Sequence, residues 1–145
     1  MNKLKARHLK KSDLEDIKEL FNQLVQKPED FNYFSDFDID PLISDPNCHC
    51  IVLEHNGKVI GFASIVIFLT PVYGHRGRIE DVVIHKDYRG KGLGRKISKE
   101  LIKIAKNKKV KSIHLTSKPD RLPARRLYES LGFELKDTGV FFLNL

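Results

Sequence analysis

The chain has 145 residues, 41% hydrophobic and 31% charged, with a formal net charge of +7. That is room for one ordinary domain with a real core, too apolar for a disordered chain, and without any apolar run near the roughly 20 residues a membrane span needs. The basic excess favours anionic partners without choosing among nucleic acid, acidic membrane surfaces and phosphorylated small molecules, and two cysteines are too few for a disulfide framework.

Met1 to Lys5 leads into alternating sequence instead of a long apolar run, so no secretory signal is read and a reducing cytoplasm is expected. Residues 3–9 alternate and predict a first strand. Ser12-Asp13-Leu14-Glu15 has the form of a capping box, and Leu14, Ile17, Leu20, Phe21, Leu24 and Val25 then make one apolar helix face that Pro28 stops. Residues 29–47 mix aromatics, acids and prolines, which suits a loop with a short helix. Phe31, Tyr33, Phe34 and Phe37 either pack that helix or form one wall of a substrate cleft.

Cys48 to His55 and Lys58 to Leu69 are apolar runs joined by Asn56-Gly57, a strong hairpin signal because both residues tolerate positive φ. Cys48 and Cys50 point to one side of the first run as buried or edge thiols; two ligands without nearby partners do not make a zinc site. Residues 70–77 break the pattern, and β-branched Arg78–His85 predicts a further strand.

That strand passes through Arg89-Gly90-Lys91-Gly92-Leu93-Gly94 into a helix whose apolar face is Leu93, Ile97, Leu101, Ile104 and Ala105. The first turn of a helix leaves backbone N–H groups unpaired at the positive end of its dipole, so it attracts anions. Gly90, Gly92 and Gly94 lack the Cβ atoms that would hold a phosphate away, and Arg89, Lys91 and Arg95 add charge. A diphosphate fits such a turn. The spacing is neither GxGxxG nor GxxxxGK[ST], and a glycine-rich helix start shaped only by packing is the other reading of the turn alone. Lys96, Lys99, Lys103, Lys106, Lys108, Lys109 and Lys111 read as a solvated helix face.

Lys111–Ser117 predicts another strand. Asp120 then caps a helix with Pro123 in its first turn, with Ala124, Leu127, Tyr128 and Leu131 on one face and Gly132 as the stop. Strands are expected around Phe133–Lys136 and Val140–Leu145. No repeat or linker interrupts the chain, so one domain over 1–145 is expected.

Two stretches carry a family resemblance. Arg89-Gly90-Lys91-Gly92-Leu93-Gly94 resembles the Arg/Gln-x-x-Gly-x-Gly/Ala pyrophosphate turn of the GCN5-related N-acetyltransferases (GNAT superfamily), and Pro123 to Glu134 (PARRLYESLGFE) is similar to that family's Leu-Tyr, Gly-Phe block. The resemblance implies an α/β (α+β) fold, a mixed, mostly antiparallel central sheet flanked by helices. Two parallel strands, here Arg78–His85 and Lys111–Thr116, would splay where the fourth strand bulges, and pantetheine would lie in the opening.

It also implies acetyl-CoA as cosubstrate, no metal, and direct attack by a primary amine without an acyl-enzyme. The cofactor positions implied are Val82, Val83, Ile84, Arg89, Gly90, Lys91, Gly92, Leu93, Gly94, Arg95, Ser117, Arg121 and Tyr128. Tyr128 matches the family tyrosine near the CoA sulfur, as proton donor to the thiolate. The strand RIEDVVI is similar to that of glucosamine-6-phosphate N-acetyltransferases, which makes Glu80 the preferred base, through water; Asp81 is its neighbour on the opposite face of a regular strand. An ion pair of either acid with Arg76 or Arg78 is the alternative, and His75, His85 and His114 are further titratable groups. Arg121 and Arg125 stand where relatives carry a cofactor-contacting asparagine; Arg125 reads as solvent-facing.

The partner expected is a small-molecule amine, with no nucleic acid and no membrane, and family members are often homodimers. A phosphorylated amino sugar is one option for the acceptor, and a protein N-terminus, a lysine, a polyamine or an amino acid are others. A non-catalytic acyl-CoA-binding module and a basic nucleic-acid-binding domain are the readings from other classes.

Overall fold

The computed structural model describes residues 3–24 and 38–145, so the expectations for Val25, Pro28 and the aromatics at 31, 33, 34 and 37 lie outside the described residues. The chain forms two compact units, one running up to Leu115 and one of Thr116–Leu145.

The larger unit is a five-stranded sheet in the order β1-β2-β3-β4-β5, made of β1 (Leu4–His8), β2 (Cys48–His55), β3 (Lys58–Thr70), β4 (Gly74–Ile84) and β5 (Ser112–His114). The first three pairings are antiparallel and β4–β5 is parallel. The β2–β3 turn is the one Asn56-Gly57 predicts, with φ of 52° and 82°.

Alternation along the strands divides the core in two. Cys50, Val52, Val59, Phe62 and Val83 pack with Ile17, Leu20 and Phe21 of α1 (Leu14–Leu24) and with Ile39 at the start of α2 (Asp40–Ser44). The Phe21 ring meets Phe62 edge-on at 5.0 Å. The alternate positions Ile51, Leu53, Ala63, Ile65 and Ile79 are buried too, as are Leu93, Ile97, Leu101 and Ala105 of α3 (Leu93–Asn107), which packs on β2, β3 and β4. Lys96, Lys99, Lys103 and Lys106 line the exposed side of α3, as a solvated face.

The entrance to α1 differs from the expected Ser12–Glu15 box. A 3-10 turn, Lys11–Asp13, precedes the helix, and the Asp13 carboxylate accepts the Lys10 N–H at 2.8 Å and two guanidinium N–H groups of Arg7, each at 2.8 Å. Asp13 wins the role because β1 brings Arg7 to it; Glu15 instead pairs with Lys18 at 3.7 Å.

The smaller unit holds α4 (Leu122–Ser130), with Pro123 in its first turn. Arg121, not Asp120, is the residue before the helix, and it supplies no side-chain cap. At the other end Gly132 has φ 96°, its N–H donates to Glu129 O and the Phe133 N–H to Tyr128 O, both at 3.0 Å. This is the Schellman closure, and the usual apolar contact is present as Tyr128 against Phe133, rings 5.8 Å apart. The strands expected at Phe133–Lys136 and Val140–Leu145 are not formed. The alternation is there, but no ladder partner pairs with it among the described residues, and Leu135, Val140, Phe141, Phe142, Leu143 and Leu145 are exposed.

Candidate active site

In the larger unit the candidate site is built by β4 and the segment that leads from it into α3. β4 pairs with β5 only over Arg76–Arg78 against Ser112–His114, then runs on to Ile84 without a β5 partner. On its other side Ser64 faces Glu80 and Phe62 faces Val83, so Asp81 and Val82 together oppose the single residue Ala63. That is a β-bulge, and Asp81 takes it up with φ 55°. The expected bulge is therefore present on the expected strand, while β5 spans only Ser112–His114 of the expected Lys111–Thr116 and pairs with β4 over those three residues.

The bulge also decides which side chains share a face. Arg76, Arg78 and Glu80 alternate onto the side of Ser64, whose hydroxyl donates to Glu80 O at 3.0 Å. Glu80 is paired with Arg78, the ion pair that stands in the sequence as the alternative to a catalytic role. Arg76 contacts the His114 ring of β5, and the Arg76 Nε is buried without a hydrogen-bond partner. Burial and the charges of Arg76 and Arg78 lower the pKa of His114, so the ring is neutral at pH 7. The Asp81 carboxyl reaches solvent but is crowded by protein; that desolvation, with the negative charge of Glu80, raises its pKa. Cys48 and Cys50 face this same side with their sulfurs 3.8 Å apart, Cys50 buried and Cys48 half-buried.

Past Ile84, a 3-10 turn (Lys86–Tyr88) leads to the glycine turn. Gly90 and Gly92 have φ of 77° and 75°, a left-handed backbone that L side chains rarely adopt, and Gly92 is the residue before α3. Gly94 lies inside the first turn of α3, whose only capping contact at Gly92 is its carbonyl accepting Lys96 N–H at 3.1 Å. Arg89, Lys91 and the two left-handed glycines are exposed. The turn thus presents backbone donors, glycines and cations together, which fits a pyrophosphate. Arg89 Nε also donates to Ile84 O at 3.0 Å, and Lys91 lies over the Tyr88 ring at 5.4 Å. Of the other cofactor candidates here, Val83 and Leu93 are buried in the core, while Val82, Ile84 and Arg95 are half-buried.

In the smaller unit Tyr128 is half-buried on α4, and this burial, against the opposing charge of Arg121, raises its pKa above the ordinary phenol value. Arg121 is exposed. Arg125 departs from the solvent-facing expectation: its guanidinium donates to Ser117 O at 2.7 Å and to Lys118 O at 3.1 Å, which ties down the approach to α4. The Ser117 hydroxyl is buried without a partner.

Sequence reasoning misses Glu19, Gln23 and Tyr88, which hold the segment between β4 and the glycine turn. His85 is legible only as a titratable group beside that turn. Among the described residues no group of three or more His, Cys, Asp or Glu side chains could hold a metal ion, and no helix is long and apolar enough to cross a membrane.

A bulged fourth strand, a short parallel pairing with β5 and a left-handed glycine turn opening a helix define an acyl-CoA-dependent acetyltransferase fold. The model of the acetyltransferase (GNAT) family matches residues 13–133, and the chain belongs to that family. It is 33% identical to the glucosamine 6-phosphate N-acetyltransferase of Trypanosoma brucei brucei, over 90% of this chain and 88% of that one. It is 26% identical to the mouse (Mus musculus) thialysine N-epsilon-acetyltransferase, over 91% of this chain and 85% of that one. The crystal structure of the Arabidopsis thaliana glucosamine-6-phosphate N-acetyltransferase superposes with a TM-score of 0.81 at 25% identity, covering 97% of each chain. The protein is an acyltransferase enzyme of the N-acetyltransferase class.

Proposed function

We propose that residues 1–145 act as one acetyltransferase domain that moves the acetyl group of acetyl-CoA to the primary amine of a small molecule, by direct attack in a ternary complex. The observation that carries this reading is the left-handed Gly90–Gly92 turn directly after a strand whose second half has no β5 partner. Backbone donors of that turn, with Arg89, Lys91 and Arg95, bind the diphosphate. The Val82–Ile84 edge of β4, which has no β5 partner and whose Ile84 O accepts Arg89 Nε–H, offers strand-like hydrogen bonds to an amide-containing arm at its remaining backbone groups.

The amine must lose a proton before it attacks, and the departing thiolate must gain one. Glu80 receives the first through water, from the face it shares with Arg78. Tyr128 supplies the second; its raised pKa keeps it a phenol, hence a donor, at neutral pH. Arg121 and the unpartnered Ser117 hydroxyl serve the cofactor on the Tyr128 side. For the acceptor, the row of Arg76 and Arg78 beyond Glu80, with an unpaired buried N–H on Arg76, favours an amine that also carries a phosphate, such as a phosphorylated amino sugar.

The test is CoA release from acetyl-CoA over a panel of amines with and without phosphate. Tyr128→Phe is expected to lower kcat about a hundredfold with CoA binding retained, and Glu80→Gln to lower kcat/KM by a similar factor. Full activity in Tyr128→Phe removes the acid; loss confined to Asp81→Asn moves the base one residue along the bulge. Absence of CoA binding by the wild type overturns the reading.

A further inference from the structure

The segment between β4 and the glycine turn is fastened to α1. His85, only 4% exposed, presents Nε2 to Glu19 Oε1 at 2.9 Å. Its Nδ1 accepts the Asp87 N–H at 3.2 Å, so the neutral ring carries its proton on Nε2 and donates it to Glu19. One turn along α1, Gln23 Oε1 accepts the Lys86 N–H at 2.8 Å. Glu19 and Gln23 stand four residues apart and therefore share a helix face, which grips residues 85 and 86 at two points. The His85 N–H donates to Ile60 O at 2.8 Å, and its carbonyl accepts Tyr88 N–H at 2.9 Å. Tyr88 then lies edge-on to the rings of His85 at 5.8 Å and His55 at 5.6 Å. Lys91, inside the glycine turn, covers its face.

These contacts form an unbroken series from α1 to the turn. Gly90 and Gly92 are the most permissive residues of the chain just where the backbone donors have to converge, so their geometry has to be set from outside. Arg89 fixes one flank through Ile84 O. We infer that Glu19, His85 and Gln23 are positioning residues for the cofactor turn, a latch by which α1 holds the pyrophosphate-binding backbone in its binding conformation before CoA arrives. The inference rests on the acetyl-CoA reading of the turn.

The ring itself is buried, and His85→Ala risks unfolding the protein, whereas the Glu19 side chain is 48% exposed and can be removed safely. Glu19→Ala, Gln23→Ala and the conservative Glu19→Gln are compared with the wild type in two measurements. The first is amide hydrogen exchange at residues 85–94 without CoA; the second is CoA affinity by calorimetry together with acetyl-CoA KM and kcat. Glu19→Ala is expected to speed exchange in this segment only, and to raise the CoA Kd and the acetyl-CoA KM about tenfold with kcat changed less than about twofold. Glu19→Gln, which keeps an oxygen for the Nε2 proton, is expected to restore most of the affinity.

Unchanged exchange in Glu19→Ala overturns the latch. Faster exchange with unchanged CoA affinity overturns its positioning role, and so does a fall in kcat at constant KM. Failure of the wild type itself to bind CoA overturns the acetyltransferase reading first, and the role of the latch with it.

Discussion

Asp13 is the residue on which the start of the chain depends. Its carboxylate is almost wholly buried, yet it takes three donors, two from Arg7 and one from the backbone of Lys10. Burial alone would raise its pKa; the hydrogen bonds and charge of Arg7 outweigh that, and the net shift is downward. An acid whose folded pKa is depressed contributes stability above its unfolded value and loses it as pH falls through the folded one. Asp13→Ala is therefore expected to cost about 2 kcal/mol at pH 7, by taking from Arg7 one of its two carboxylates, the other being Glu54 at 3.0 Å, with the gap to wild type narrowing below about pH 4. Urea denaturation at several pH values measures both. A constant gap across pH would mean that packing, not charge, holds the site.

At the scale of elements, α4 and its Gly-Phe stop explain why Leu-Tyr and Gly-Phe travel together in this sequence. Gly132 alone allows the left-handed stop that returns Phe133 over Tyr128. Gly132→Ala is expected to cost about 1 kcal/mol, and Gly132→Asn less, because asparagine tolerates that backbone. Phe133→Ala leaves the backbone closure in place but frees the Tyr128 ring. Its kcat is therefore expected to fall without a matching rise in acetyl-CoA KM, measured on the best amine of the panel.

Elements with local signals were readable: Asn56-Gly57 marked the hairpin, and the glycines and the helical spacing after them marked α3. Others had none. Nothing in Glu80-Asp81-Val82 marks Asp81 for positive φ, since the bulge is a matter of pairing with β3. Glu19 meets His85 across 66 positions, which no local pattern reports. The C-terminal segment alternates like a strand, but strand formation needs a ladder partner as well as a pattern.

At the scale of the whole molecule, the +7 charge acts on encounter more than on chemistry. If the acceptor carries a phosphate, its kcat/KM should fall several-fold between about 0.05 M and 0.5 M salt, while that of a polyamine rises or stays level. Initial rates at saturating acetyl-CoA separate the two. A phosphorylated acceptor indifferent to salt would remove Arg76 and Arg78 from recognition.

The extra residue in β4 also sets how the strand's sequence is parsed. Side chains alternate with a period of two, so a strand has a reading frame, and the bulge shifts it by one between Glu80 and Val83. Upstream, the even-numbered positions Arg76, Arg78 and Glu80 share the face of Ser64; downstream, the odd-numbered Val83 takes that face and closes the core. The bulge works as punctuation between two clauses. Deleting Asp81 would therefore remove the bulge and keep the pairing on either side of it: Val82 would oppose Ala63 alone, and Val83 would retain Phe62 as its partner and its place in the core.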